Sequence, residues 1–379
     1  MSRCYHKLLL NHNSKIATLL KGGTKMQNIL NFTYDELESF IISIGEAKFR
    51  TKQIFAPMHK GISPAELTNL STKTKEKIFE NAKYSLPKIR RKLVSTLDGT
   101  VKYLFELDDG NCVESVVMKY EHGTTICISS QIGCRMGCAF CASTIGGKVR
   151  DLEVGELLGQ IISAQVDLGE RIDGVVMMGI GEPLDNYDNV IKFLRIVGHK
   201  ESLNIGYRHI SLSTCGLVDK IYKLAEEDFQ ITLSISLHAS NDEIRSKIMP
   251  VNKKWGVDEL LDACRAYFTK TGRRISFEYT LIAGENDSEE NAFALAKKLN
   301  SKLRTRSETM PIHVNLIPVN PVKERDFKKS GKDQIKKFAK ALESKGIRAT
   351  VRRTLGADIN ASCGQLRRDE MKNTQKEQA

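Results

Sequence analysis

Cys134, Cys138 and Cys141 form a C-x3-C-x2-C run, Cys134-Arg-Met-Gly-Cys138-Ala-Phe-Cys141. Thiolates at this spacing suit an iron–sulfur cluster, and a cubane of four irons held by three cysteines keeps one iron open to a small-molecule ligand. An open iron points to catalysis. A structural zinc would need a fourth ligand at finger spacing, yet the next His after Cys141 is His199. The bland alternative, three inert core thiols, suits the segment poorly. Rich in Gly, Arg and Met and without strand alternation, it reads as a loop, where free thiols invite oxidation.

A second turn with chemical potential is Met178-Gly179-Ile180-Gly181-Glu182-Pro183. It lacks the third glycine of a dinucleotide fingerprint, and Pro183 follows. Glycine permits close backbone approach and Glu182 supplies a countercharge, a combination suited to an ammonium group. A plain strand-to-helix turn is the simpler reading.

These loops need strands to carry them. β-branched runs at Thr124–Ser129, Gly174–Met178, His209–Ser213, Thr232–Ser236, Ile275–Leu281 and His313–Ile317 predict six strands. Amphipathic stretches near Val154–Leu168, Tyr187–Val197, Val218–Glu226, Val257–Phe268, Glu289–Leu299 and Lys332–Ser344 predict helices after them. The alternation implies a parallel α/β sheet, open or closed into a barrel, with the cysteine loop at the C-terminal end of its first strand, where such folds put their sites. Upstream, Asn31 to Leu86 reads as a small helical module. Thr33 and Glu36 offer a capping box, Gly45 a break, and Phe49–Met58 and Ser71–Ala82 two more helices. Residues 1–26 read as an extension without a core of its own; Met1 and Met26 both qualify as the first residue.

The 379 residues are 41% apolar, enough for a large core. The nine cysteines are an odd number, and neither a secretory signal nor a membrane-length apolar run is evident, so the expectation is a cytosolic chain with reduced thiols. Lys and Arg number 58 against 46 Asp and Glu, a net charge of +12. The excess is concentrated between Pro321 and Ala379, with pairs at Lys328-Lys329, Lys336-Lys337, Arg352-Arg353 and Arg367-Arg368. A polyanion, RNA or DNA, is the partner such charge favours over an ordinary solvated surface.

Taken together and in order, several segments give the chain a family likeness. They are Cys127-Ile-Ser-Ser-Gln-Ile-Gly-Cys134, the cysteine loop, Met178–Pro183, Ser236-Leu-His-Ala239, Asn315-Leu-Ile-Pro318 and Asp358-Ile-Asn-Ala-Ser-Cys363-Gly-Gln-Leu366. The chain resembles the radical S-adenosylmethionine (SAM) superfamily, and within it the RlmN/Cfr-type RNA adenosine methyltransferases, from about Asn31 to Leu366. The resemblance implies a partial (βα)6 barrel over 91–355 with a helical, RNA-binding accessory domain at 27–90 and a tail at 356–379. It implies one 4Fe–4S cluster on Cys134, Cys138 and Cys141, and SAM, two molecules per turnover, at the barrel mouth. Gly181, Glu182, Ser213, Ser236, Leu237, His238 and Asn320 match SAM-holding positions. Cys363 matches a methyl-accepting cysteine, Cys127 its resolving thiol, and Glu114 a proton acceptor. The residues alone say less: Ser213 and Ser236 end strands, Asn320 precedes a proline, Cys127 reads as a small buried hydrophobe, and Glu114 as a strand carboxylate.

Adenine C2 is electron-poor and offers no lone pair, so displacement of a methyl group from SAM cannot reach it. The resemblance implies that Cys363 is first methylated. A radical made from a second SAM then activates that methyl group for addition to the base, and Cys127 releases the product. The implied substrates are 23S rRNA at the peptidyl transferase centre and the adenosine 3′ of the anticodon in tRNA. An electron donor such as a flavodoxin or ferredoxin is a further expected partner of a monomeric enzyme. Asn360 and Ser362 stand where relatives usually carry Asp and Ala, and Cys215 where Ser is commoner. Two other readings are open: C8 methylation conferring antibiotic resistance, and a zinc-stabilised RNA-binding protein without activity.

Overall fold

The computed structural model describes residues 26–304, 309–320, 322, 324–361 and 366. Helix α1 (Tyr34–Ser43) begins with the capping box read from the sequence. The Thr33 hydroxyl accepts from the Glu36 N–H at 3.3 Å, and the Glu36 carboxylate accepts from the Thr33 N–H at 2.8 Å. α2 (Arg50–Met58) and α3 (Thr72–Asn81) follow, the latter capped by Ser71. Leu37, Ile41, Ile54, Phe55 and Ile78 pack inward from the three helices. The module is tied to the rest of the chain by Asn31, whose amide accepts from the Gly155 N–H at 2.7 Å and donates to Glu153 at 3.0 Å. A bare Cβ on Gly155 would lie 3.0 Å from that same Asn31 oxygen, so glycine is what lets the two segments meet.

Beyond the module, β1 (Lys88–Val94), β2 (Val101–Glu106), β3 (Cys112–Tyr120) and β4 (Gly123–Cys127) run as an antiparallel meander. A separate hairpin, β5 (Gln131–Gly133) with β6 (Lys148–Asp151), brackets the cysteine loop. Then come α4 (Val154–Leu168), β7 (Gly174–Met177), α5 (Tyr187–Val197), β8 (Ile210–Thr214), α6 (Val218–Ala225) and β9 (Thr232–Ser236). They are followed by α7 (Asp242–Ile248), α8 (Val257–Thr271), β10 (Ile275–Leu281), α9 (Glu289–Leu303), β11 (His313–Pro318), α10 (Lys332–Ser344) and β12 (Arg348–Val351). The main sheet has ten strands in the order β1-β2-β3-β4-β7-β8-β9-β10-β11-β12, parallel from β4 onward.

All six expected strands are present, but the sheet does not stop at them. β12 extends the parallel part, and β1–β3 extend it from the other side. The charges of Lys88-Ile-Arg-Arg-Lys-Leu-Val94 mask any two-residue period, because this edge strand is exposed along most of its length. β12 is only four residues long, too short to declare itself.

The two faces of the sheet differ in kind. Ile210, Leu212, Leu233, Ile235, Phe277, Tyr279, Val314 and Leu316 are buried under the helices. The alternate residues turn inward and are polar: Ser211, Ser213, Ser234, Ser236, Ser276, Glu278 and Asn315. Ser211 and Ser234 share a hydrogen bond at 3.0 Å. Glu278 accepts from Ser276 at 2.9 Å and from Asn315 at 2.7 Å. Short hydroxyl side chains occupy less of this face than Leu or Phe would, so the interior of the sheet is polar. Among the described residues no helix is long and apolar enough to cross a membrane.

His59 in α2's C-terminal cap gives the fold a pH dependence. It is buried, its Nδ1 donates to the Phe55 carbonyl at 2.8 Å, and its Nε2 finds no partner among the described residues. Burial pulls its pKa from 6.5 to about 4. Across that window the unfolded chain binds a proton that the folded chain refuses, so stability falls as pH drops, by up to about 1.4 kcal/mol per pH unit. Urea midpoints at about pH 7 and about pH 5 should therefore draw closer together in His59→Phe than in the parent. An unchanged gap would show that His59 is not the group responsible.

Candidate active site

The cysteine loop is built by its hairpin. Gly133 has φ 76°, and a Cβ there would sit 1.9 Å from the Gly147 carbonyl, so only glycine allows the strands to pinch. The Cys134 N–H donates to that carbonyl at 3.1 Å, and the Ala139 N–H donates to Ile248 at the end of α7 at 2.8 Å. The Thr144 hydroxyl lies 3.2 Å from the Cys138 carbonyl and 2.9 Å from that of Cys141, holding the loop's last turn. Cys134 and Cys138 are buried and Cys141 half-buried. Burial pushes the Cys134 thiol up to about 12 and Cys138 up as well, and both feel Cys141, so the three share one neighbourhood. Buried thiols of this kind ionise when a cation takes the place of their protons. Among the described residues no three His, Cys, Asp or Glu close on a single-ion site. Three thiols that each take a separate iron corner have no need to converge so tightly, and the donor set suits a cluster.

The Gly181-Glu182 turn is stitched to this loop. Gly181 has φ 107° and a Cβ on it would come within 2.6 Å of Gln131 Cβ. Gln131 accepts from the Glu182 N–H at 2.9 Å and donates to Asp151 and Asp185, both at 2.8 Å. Asp185 pairs with Lys148 at 2.9 Å and with Arg135 inside the cysteine loop. The Glu182 carboxylate is buried and accepts from the Leu184 N–H at 3.0 Å and the Cys215 N–H at 2.7 Å. Burial raises its pKa, which those two N–H donors oppose. Glu182 acts electrostatically on Cys134 and Cys138, so the carboxylate stands beside the thiols, as an ammonium-binding role requires. Cys215 serves here through its backbone N–H, and its buried thiol also touches the Glu182 carboxylate.

The strand ends bring together some, but not all, of the other SAM-matching residues. Ser213 and Ser236 are half-buried on the inner face, at the ends of β8 and β9. His238 follows in the left-handed region, φ 56°. Its Nδ1 accepts from the Thr280 N–H at 2.9 Å, which leaves the hydrogen on Nε2, and its ring meets Phe140 of the cysteine loop edge-on at 5.0 Å. Burial first, then Arg245, depresses its pKa to about 3, so the ring is a neutral donor at working pH. Leu237 differs: it is fully buried in the core, its N–H donating to the Glu278 carbonyl at 3.1 Å and its carbonyl accepting from Arg245 at 3.0 Å. Asn320 is exposed beyond β11.

Arg245 escaped the sequence reading. It is fully buried, donating from Nε to Leu237 at 3.0 Å, from Nη2 to the carbonyls of Cys215 at 2.6 Å and Ser236 at 3.1 Å, and from Nη1 to Asn252 at 3.0 Å. One guanidinium thus clamps the ends of β8 and β9 behind the cysteine loop. Its signal was its spacing: Arg245 and Ile248 share the buried side of a short helix, where an apolar residue is usual.

Cys127 is half-buried at the end of β4, opposite Val116 of β3 and Val176 of β7. Glu114, two residues before Val116, therefore projects from the same face, and it raises the Cys127 pKa alongside the larger effect of burial. Arg352 and Lys102 oppose them. Cys363 lies outside the described residues. The segment leading to it is described: Asp358 accepts from Ser95 at 2.7 Å and from the Thr96 N–H at 2.9 Å, and Asn360 has φ 45°. Asn tolerates that conformation as Asp does, and the Asn360 contact with Lys102 uses its carbonyl, so the departure from Asp costs the segment little.

Arg245→Met should strip the strand ends of three hydrogen bonds and Asn252 of a fourth, and lower stability by about 3–5 kcal/mol in urea unfolding, with a loss of iron retained after anaerobic reconstitution. Arg245→Lys should not restore it, because an ammonium cannot span the same carbonyls. A parent-like urea midpoint in Arg245→Met would refute the clamp.

Comparison with known proteins agrees with this geometry. Residues 128–296 match the Radical SAM superfamily model, and residues 27–83 match the Ribosomal RNA large subunit methyltransferase N-terminal domain. A curated protein of Clostridium novyi (strain NT), named "Probable dual-specificity RNA methyltransferase RlmN", is 53% identical over 92% of this chain and 100% of its own. One of the same name from Alkaliphilus oremlandii (strain OhILAs) is 52% identical over 91% of this chain and 99% of its own. The crystal structure of a radical SAM methyltransferase from Sphaerobacter thermophilus superposes with TM-score 0.83 at 38% identity, covering 89% of this chain and 98% of that one. With thiols, turn and strand ends arranged as they are, the chain belongs to the RlmN family of radical SAM RNA methyltransferases.

Proposed function

We propose that the enzyme methylates C2 of an adenosine in 23S rRNA at the peptidyl transferase centre, and the adenosine 3′ of the anticodon in tRNA. Cys363 is the carbon carrier, Cys127 the resolving thiol and Glu114 the proton acceptor. The observation that carries this reading is the shared sheet face of Glu114 and Cys127 beside a polar interior, with the segment before Cys363 fastened nearby. Membership in an enzyme family removes the alternative of a zinc-stabilised binding protein.

Cys134, Cys138 and Cys141 hold the cluster; Gly181, Glu182, Ser213, Ser236, Leu237, His238 and Asn320 hold SAM. When bound, these groups supply the methyl for Cys363 and the radical that activates it. His238, fixed as a neutral Nε2–H donor, binds without exchanging a proton. Cys363 then presents its carbon to adenine C2, and the adduct gives up its ring proton to Glu114 and one electron back to the bound cluster. Cys127 attacks the Cys363 sulfur, so that the freed carbon gains a proton to become the methyl group and a disulfide is left for later reduction. The base must leave its stack to reach this face, which favours loops over duplex. We read 27–90 as the accessory domain that grips phosphates with basic residues among Lys48, Arg50, Lys52, Lys73, Lys75 and Lys77, 91–355 as the barrel, and 356–379 as the carrier tail. A flavodoxin or ferredoxin donates the electron to a cytosolic monomer.

Cys127→Ala should accumulate RNA covalently joined to protein, visible as a shifted band and by mass spectrometry, whereas Cys363→Ala should form none. An adduct in Cys363→Ala would remove it as carrier. Mass spectrometry of the modified base decides position: an 8-methyl product replaces the C2 reading with the C8 one.

A further inference from the structure

Lys102 lies on β2 opposite Val116, so it points from the same sheet face as Glu114 and Cys127. Its side chain is 1% exposed and that of Glu114 2%. The ammonium lies 3.0 Å from Glu114 Oε2 and 3.0 Å from the carbonyl of Asn360, three residues before Cys363. Removing an ammonium from water costs several kcal/mol, and such a group persists inside a protein where fixed acceptors replace its water. Here the acceptors include the carboxylate of one strand and the backbone of the carrier segment.

The same segment is clasped from outside by the turn between β1 and β2. Asp98 accepts from the Gly356 N–H at 2.8 Å, while Asp358 reaches back to Ser95 and Thr96. Gly356 has φ 60°, and a Cβ on it would come within 2.6 Å of the Ala361 Cβ, so the segment turns tightly where it meets the hairpin. The two aspartates fix where it lies along the hairpin. Lys102 connects it to the inner face.

We infer that Lys102 is a positioning residue for RNA methylation, joining the carrier segment to the proton acceptor so that Glu114 is aimed at the base when the Cys363 segment is seated. This rests on the roles proposed for Cys363 and Glu114. Glu114 receives a proton only, and Lys102 changes neither its bonds nor its charge.

The test uses full-length reconstituted enzyme. In Lys102→Met, S-methylation of Cys363 and iron content should stay within about twofold of the parent, because the aspartate clasps remain, while RNA turnover falls about a hundredfold. Covalently bound RNA should build up with Cys127 intact, since the adduct forms but keeps its ring proton. Lys102→Arg should recover a substantial part of the turnover. Lys102→Met/Glu114→Gln, which removes both charges of this pair, should turn over no more slowly than Glu114→Gln alone. Parent-like turnover in Lys102→Met overturns the inference. So does a loss that parallels falling iron content and S-methylation, or a double variant slower than Glu114→Gln. If Glu114→Gln itself turns over like the parent, the proton-acceptor reading fails and the inference with it. If Glu114→Gln is impaired and Lys102→Met is not, only the inference fails.

Discussion

Everything in this molecule depends on one continuous sheet whose two faces follow opposite rules. Side chains alternate along a strand, so the residues that carry the apolar outer face also fix which residues look inward. Leu212, Leu233 and Phe277 commit their strands to the helices, and Ser213, Ser234 and Glu278 are turned into the interior by the same commitment. A slip of one residue would bury the serines under helices and turn leucines to the polar inner face. The register is therefore specified strongly, and with it the position of each inner group.

The antiparallel strands β1–β3 carry that logic beyond the parallel strands. Because β3 pairs with β4 in register Val116 to Cys127, and β2 with β3 in register Lys102 to Val116, three chemically distinct side chains fall on one face without a loop to aim them. Strands hold such groups more rigidly than loops do. The cysteine loop is the exception and is fastened accordingly, by its pinched hairpin, by Asp185 and by the end of α7.

Buried charge is handled consistently. Arg245 gives its hydrogens to carbonyls and Asn252, Glu182 takes backbone N–H donors, and Lys102 is shared between a carboxylate and a carbonyl. Each of these groups fixes a chain end that has no regular partner of its own: the tips of β8 and β9, the turn after β7, the segment before Cys363. An unpaired charge at such a depth would be costly, so the arrangement tolerates few alternatives, and flexibility at the reacting groups is kept small.

The helices were legible because their 3.6-residue period and caps are local; Val154–Leu168, Tyr187–Val197 and Lys332–Ser344 end where the pattern ends. The cysteine loop and the Gly181-Glu182 turn were legible because their residue types are rare at that spacing. Lys102, Arg245 and Asp185 were not, since each looks like an ordinary surface charge until long-range packing buries it. β1 hid behind its own arginines and lysines. Cys363 was found through likeness to a family and lies outside the described residues. By itself the sequence determined which thiols can hold a cluster, how the strands alternate and which family the chain resembles, all local or compositional properties. The tertiary structure alone decided that Lys102, Glu114 and Cys127 share a face and that Arg245 holds two strand ends. These follow from pairing between distant segments, and no residue carries that register in its own type.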